Sequence, residues 1–163
     1  MDTGTAITGL VLIAIIVVPF LLLNISTKVK NKRMLSLLNT EAERLGCTIN
    51  EYELSGNAII GIDDDAEMVF FGKTKGGSDL SQTVNLADFQ SCEIVAKNRY
   101  RGEEANNDRI VDKLELYFKS KTPGKGDISL EFYCGAENFQ LNDELSVMKK
   151  WTKIINNKLP VKV

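Results

Sequence analysis

Gly72, Lys73 and Thr74 stand in series, as in the end of a phosphate-binding loop whose backbone amides cradle an anion while the lysine reaches it. That loop also needs a glycine five residues before Gly72, and position 67 is glutamate. Without it the amides cannot wrap a phosphate. Gly124-Lys125-Gly126 likewise lacks the third glycine of a dinucleotide fingerprint. Asp63, Asp64, Asp65 and Glu67 bring carboxylates together, the oxygen donors that Ca²⁺ and Mg²⁺ take. A calcium loop would want glycine at 68, where Met68 stands, so the stretch reads as a solvated turn. There is no histidine, which removes the commonest general base and metal ligand. Cys47, Cys92 and Cys134 are odd in number and without short paired spacing, as reduced thiols are. No catalytic residue, cofactor or metal site is expected, and the chain does not read as an enzyme.

The cations with positional meaning are Lys28, Lys30, Lys32 and Arg33. They close an uncharged run from Thr3 to Thr27 whose core, residues 6–23, holds thirteen Ile, Leu, Val and Phe residues. About twenty apolar residues, rising ~1.5 Å each, reach roughly the 30 Å of a hydrocarbon layer. Residues 1–27 therefore predict a single-pass transmembrane helix. The positive-inside rule puts the cationic flank on the cytoplasmic side of the cell membrane, with the amino terminus outside. The four cations are expected to contact the membrane surface. A cleaved signal fits less well, because no positive segment precedes the apolar one. The sequon at Asn24-Ile25-Ser26 would then be unused.

These cations open a second segment, 28–46, an amphipathic helix in which Met34, Leu38, Ala42 and Leu45 recur at helical spacing. Its apolar stripe must cover the following domain, a second copy or a membrane surface. Residues 47–163 form the third segment, where the period changes. "TINEYEL", "AIIGID", "EMVFFGK", "LSQTVNL" and "CEIVAK" read as strands. Leu114, Leu116 and Phe118 alternate with Lys113, Glu115, Tyr117 and Lys119, as do Ile128, Leu130, Phe132 and Cys134 with Ser129, Glu131 and Tyr133. Each predicts one dry and one wet face. Residues 100–110 read as an exposed loop, and a helix over 143–158 buries Leu145, Met148, Trp151, Ile155 and Leu159.

Six or seven antiparallel strands closed by one C-terminal helix give an α+β class. Their order resembles the pleckstrin-homology-like superfold of bacterial type, over about residues 47–158. The resemblance implies a partly open barrel capped by the helix, with Trp151 as the tryptophan packed on it. Members that bind phosphoinositides use cations beside the first hairpin loop. Here that loop is "DDDAE" or "SGN", and neither carries one.

The function expected is a membrane-anchored cytoplasmic binding or scaffold module, taking a peptide along a strand edge. Its partners would be the lipid bilayer and a protein, or a second copy of itself. An alternative is a sensor of anionic lipid that adds Lys119, Lys121 and Lys125 to the juxtamembrane cations; another is a subunit of a membrane assembly. With a net charge of −2, nucleic acid is not an expected partner.

Overall fold

The structure is a computed structural model that describes residues 3–100, 109–136 and 143–160. Most of the loop expected over 100–110 lies outside these residues, and the sequon lies outside the described side chains. Helix α1 (Thr3–Arg44) is continuous. It closes by paired bonds in which Cys47 N–H donates to Ala42 O at 2.9 Å and Gly46 N–H donates to Glu43 O at 3.0 Å. That pairing satisfies carbonyls the last turn would leave orphaned.

Seven strands follow, β1 (Glu51–Ser55), β2 (Ala58–Asp63), β3 (Met68–Lys75), β4 (Ser78–Asn85), β5 (Phe89–Tyr100), β6 (Arg109–Ser120) and β7 (Ile128–Cys134), and then helix α2 (Glu144–Lys158). The first four form one antiparallel sheet in sequence order and the last three form another.

All six residues of β2 are buried, because its sheet is covered on both faces. Ile60, Ile62, Val69 and Phe71 meet Leu114, Leu116, Phe118 and Phe132 of the second sheet, together with Trp151 of α2, in the main core. Ile59 and Phe70 point the other way, onto Met34, Leu38 and Ala42 of α1. Of the three covers open to the stripe of residues 30–45, its own domain is the one it takes. The strand therefore reads as an unbroken apolar run instead of an alternation. Gly61 permits the helix to come this close, since a Cβ there would lie 2.8 Å from Leu38 Cδ2 and 3.0 Å from Ile49 Cγ2.

Two expectations are corrected. Among the described residues no helix is long and apolar enough to cross a membrane. From position 28 onward the helix carries Lys28, Lys30, Lys32, Arg33, Glu41, Glu43 and Arg44. The single-pass anchor is overturned, and with it the cell-membrane location, the outside amino terminus and the cytoplasmic domain drawn from it. What the helix does show is that Val11, Leu12, Ile13, Ile15, Ile16 and Val17 are all exposed.

The barrel is the second correction. No strand pair joins the two sheets among the described residues, so the domain is two stacked sheets and no closed barrel. The break is local. Leu86 N–H makes the last bond toward β3, to Glu67 O at 3.0 Å. The Asn85 side chain then accepts from Ala87 N–H and starts a 3-10 turn, Leu86–Asp88, that carries the chain into the other sheet.

Candidate functional site

The site is built where the β3–β4 hairpin meets β6 and β7. Lys73 lies on the same face of β3 as Val69 and Phe71, two positions from each neighbour in the stripe. It is only 2% exposed, so its ammonium needs a counter-charge. Glu131 of β7 supplies it, with Lys73 Nζ 2.5 Å from Glu131 Oε1. Lys113 Nζ lies 2.9 Å from the other oxygen of Glu131 and 2.6 Å from Glu115 Oε1. Lys75 approaches Glu131 at 3.4 Å and Lys97 approaches Glu115 at 3.5 Å. Four ammonium groups thus face two carboxylates in this cluster among the described residues.

The proton affinities follow from the packing. Burial works to raise the Glu131 carboxyl, but hydrogen bonds from Lys73 and Lys113, with their charges, outweigh it and hold the group at about 2. Burial opposes ionisation of Glu115 as well, and Lys113 again overcomes it. Lys113 is raised in turn by its bonds to Glu115 and Glu131. All three are charged at neutral pH.

A cavity of about 350 Å³ opens beside this network, with Phe71, Leu80 and Gln82 on the hairpin side and Lys75, Lys113 and Ser129 among its other walls. Leu80 is 50% exposed. Ser129 Oγ is buried without a hydrogen-bond partner among the described residues, facing Glu115 without closing a bond of ordinary geometry.

The rim of the cavity is a sheet edge whose polarity can be derived. Gly76 and Gly77 have φ of +57° and +84°, a two-residue type I′ turn, which only residues free of Cβ strain adopt readily. Such a turn makes its flanking pair, Lys75 and Ser78, a hydrogen-bonded one. Alternation then leaves Thr74/Asp79, Gly72/Ser81 and Phe70/Thr83 as the non-bonded pairs. Consistently, Thr74 N–H points away from β4 and donates to Asn57 O at 2.9 Å. The N–H and C=O of Asp79, Ser81 and Thr83 therefore point outward. Along β4 there is no proline, no lysine and no register shift, the usual means by which an edge is blunted.

Other edges are treated differently. Along β5, Asn156 of α2 accepts from Cys92 N–H at 3.0 Å and donates to Cys92 O at 2.8 Å, and the register shifts twice. On β1, Glu53 accepts from the Trp151 indole N–H at 2.9 Å and from Lys150 at 3.0 Å, while Lys150 also meets Glu51 at 2.9 Å.

The residues expected at a membrane surface do not act together. Lys30 donates to Gly56 O and to Asn57 Oδ1 in the β1–β2 turn, and Arg33 pairs with Asp79 at 2.8 Å. Lys28 and Lys32 are exposed. Lys121 Nζ donates to Ala87 O at 2.6 Å and Lys125 pairs with Asp88 at 2.8 Å. These two secure the corner at the end of β4 opposite the turn where Arg33 binds, leaving Lys119 exposed. In the acidic turn, Asp63 accepts from Ala66, Thr48 and Asp65 N–H groups, which hold its carboxyl below the usual range. Asp64 pairs with Lys158. Burial pushes the Cys92 thiol up to about 12, which keeps it protonated and unreactive.

Lys73, Lys75, Lys113, Glu115, Ser129 and Glu131 are the residues that sequence reasoning missed as a group. Lys113, Glu115, Ser129 and Glu131 read as a wet face, and Lys73 as part of a failed phosphate loop. A signal did exist, because a lysine in register with two core residues of one strand needs a buried partner. Comparison of the chain with protein-family models, curated proteins and solved structures finds no match.

Proposed function

We propose that this chain is a binding module whose domain receives an extended peptide on the outer edge of β4, without catalysis. The observation that carries the reading is that edge itself. The outward N–H and C=O groups of Asp79, Ser81 and Thr83 lie on a regular, unblunted strand beside a cavity, whereas side chains of α2 engage β1 and β5. Strand addition draws its affinity from such main-chain groups and its specificity from the pockets next to them. The order of seven strands and a closing helix supports the likeness to the pleckstrin-homology-like superfold as part of this proposal.

Proline separates strand addition from ladder damage. Ser81 N–H points outward, so Ser81→Pro removes a ligand donor and leaves the β3–β4 ladder paired, a position that an edge strand tolerates. Gln82→Pro removes a ladder bond instead. β-prone peptides selected on the full chain from a random display library should shift the amide signals of Asp79, Ser81 and Thr83. Ser81→Pro should abolish their binding while keeping a cooperative unfolding transition. Selected peptides that bind Ser81→Pro as well as the parent, or that map to α2, would sink the reading.

A further inference from the structure

Of the residues on the seven strands, only Tyr52 and Leu80 are large, hydrophobic and exposed among the described residues. Tyr52 lies on β1, where α2 holds Glu51 and Glu53. Leu80 lies on the outer edge of β4 between Asp79 and Ser81, whose main-chain groups point outward. Its own N–H and C=O point the other way, toward Lys73 of β3, its partner in the ladder. A strand added outside β4 would therefore place a residue opposite Leu80 in a non-bonded pair, with Cα atoms about 4.5 Å apart and side chains in contact.

From this register we infer that the extended segment received on the edge is β4 of a second copy of this chain, running antiparallel about a two-fold axis at Leu80. This deepens the edge-binding reading and rests on it. The strand is its own complement. Leu80 meets Leu80 of the second copy, so each leaves water for an apolar neighbour, whereas an axis at Ser81 would set it against Gln82. Asp79 and Ser81 fall opposite one another in both directions and exchange their main-chain bonds, so the outward groups of both residues find partners. The charges agree as well. Asp79 is the only ionisable side chain on β4 and is paired with Arg33 at 2.8 Å. The residue it would face is Ser81, whose hydroxyl can donate to it. No like charges are directly opposed, and neither lysine nor proline on the strand obstructs the approach. The two four-stranded sheets would join edge to edge, each copy giving and receiving the same surface. A contact of so few residues belongs with weak, reversible interfaces.

The test uses the full chain. Its apparent mass in sedimentation should rise from one copy toward two between about 1 µM and about 1 mM. Ser81→Pro, which keeps its cooperative unfolding, should stay at one copy over that range. Leu80→Cys and Ser81→Cys then read the register under oxidised glutathione. With the axis at Leu80, the two Leu80 Cα atoms lie within disulfide reach, whereas the two Ser81 Cα atoms are offset by two positions, beyond the limit of about 7 Å. Leu80→Cys should therefore form the intermolecular disulfide roughly tenfold faster than Ser81→Cys. The linked residues are identified in a digest, because Cys47 and Cys134 are also free thiols. Leu80 is 50% exposed, so its variant should fold normally. Equal rates, or faster linking in Ser81→Cys, would overturn the Leu80 axis. Association that Ser81→Pro leaves unchanged would belong to the exposed residues 11–17 of α1 and would overturn the proposal. A parent chain that stays at one copy, while selected peptides still shift the amides of Asp79, Ser81 and Thr83, would overturn the second copy and leave the edge reading standing. One copy with no such shift from any selected peptide would overturn both.

Discussion

Along β5 the Asn156 carboxamide occupies both main-chain groups of Cys92, whereas along β4 the outward groups of three residues have no backbone partner among the described residues. Both are edges of sheets in one small domain, so the contrast does not come from topology. It comes from what α2 brings. Its Asn156 closes both main-chain groups of Cys92 on β5, and its Trp151 and Lys150 bind the side chains of Glu53 and Glu51 on β1. The β4 side is closed electrostatically but not sterically. Its charges are paired in a network that still borders a cavity, and its backbone is left available. A strand edge can be silenced by a single amide; leaving one regular, with neither proline nor lysine along it, has consequences for binding.

The largest effect should come from Trp151→Ala on the closed side. It empties the centre of the core and removes the donor to Glu53, and should cost about 3–5 kcal/mol in urea-induced unfolding. A loss below about 1 kcal/mol would mean that α2 does not hold the sandwich shut.

Next comes Glu131→Gln on the open side, which removes the carboxylate charge 2.5 Å from the buried Lys73 ammonium. A loss of about 3 kcal/mol is expected, the lower end for breaking a buried pair, because Glu131 keeps some contact with solvent. The same carboxyl sets an acid signature. Its pKa is lower folded than unfolded, so its stabilisation is complete above about 4.5 and is lost as pH falls toward about 2. Melting temperature should decline across that window in the parent, with a shallower slope in Glu131→Gln. Parallel curves would remove Glu131 from the account.

Asn156→Ala should cost about 1–2 kcal/mol, two modest hydrogen bonds, and should speed hydrogen exchange at the Cys92 amide. It sharpens the comparison further, because uncovering β5 should create a second weak site for β-prone peptides. The smallest effect should be Ser129→Ala, within about 0.5 kcal/mol of the parent, since its hydroxyl has no bond to lose among the described residues. A larger loss would show that the hydroxyl is engaged in the free protein.

Much of the fold was legible one element at a time. The hairpin of "AIIGID" and "EMVFFGK", the alternation at Leu114, Leu116 and Phe118, and the stripe of Met148, Trp151 and Ile155 in the last helix are periodic signals, and periodicity is a local property. The early part of α1 was misread for a related reason. An apolar count along 1–27 measures composition, whereas a span needs one helix that is both long and apolar enough, and none among the described residues is. The candidate site was the least legible part. Lys113, Glu115 and Glu131 look like a solvated face from either strand alone. Only the approach of Lys73 and Lys75 from another sheet makes that face half-buried.

The amino-acid order by itself determined which residues become strands, where they turn, and which stripe of residues 34–42 must be covered, because backbone preference and side-chain period act over a few neighbours. Tertiary structure decided what covers that stripe, which edges are shut, and that Lys73 meets Glu131 across 58 positions of chain. Those outcomes depend on distances between segments far apart in sequence, and burial, charge pairing and edge exposure acquire values only once the sheets have stacked.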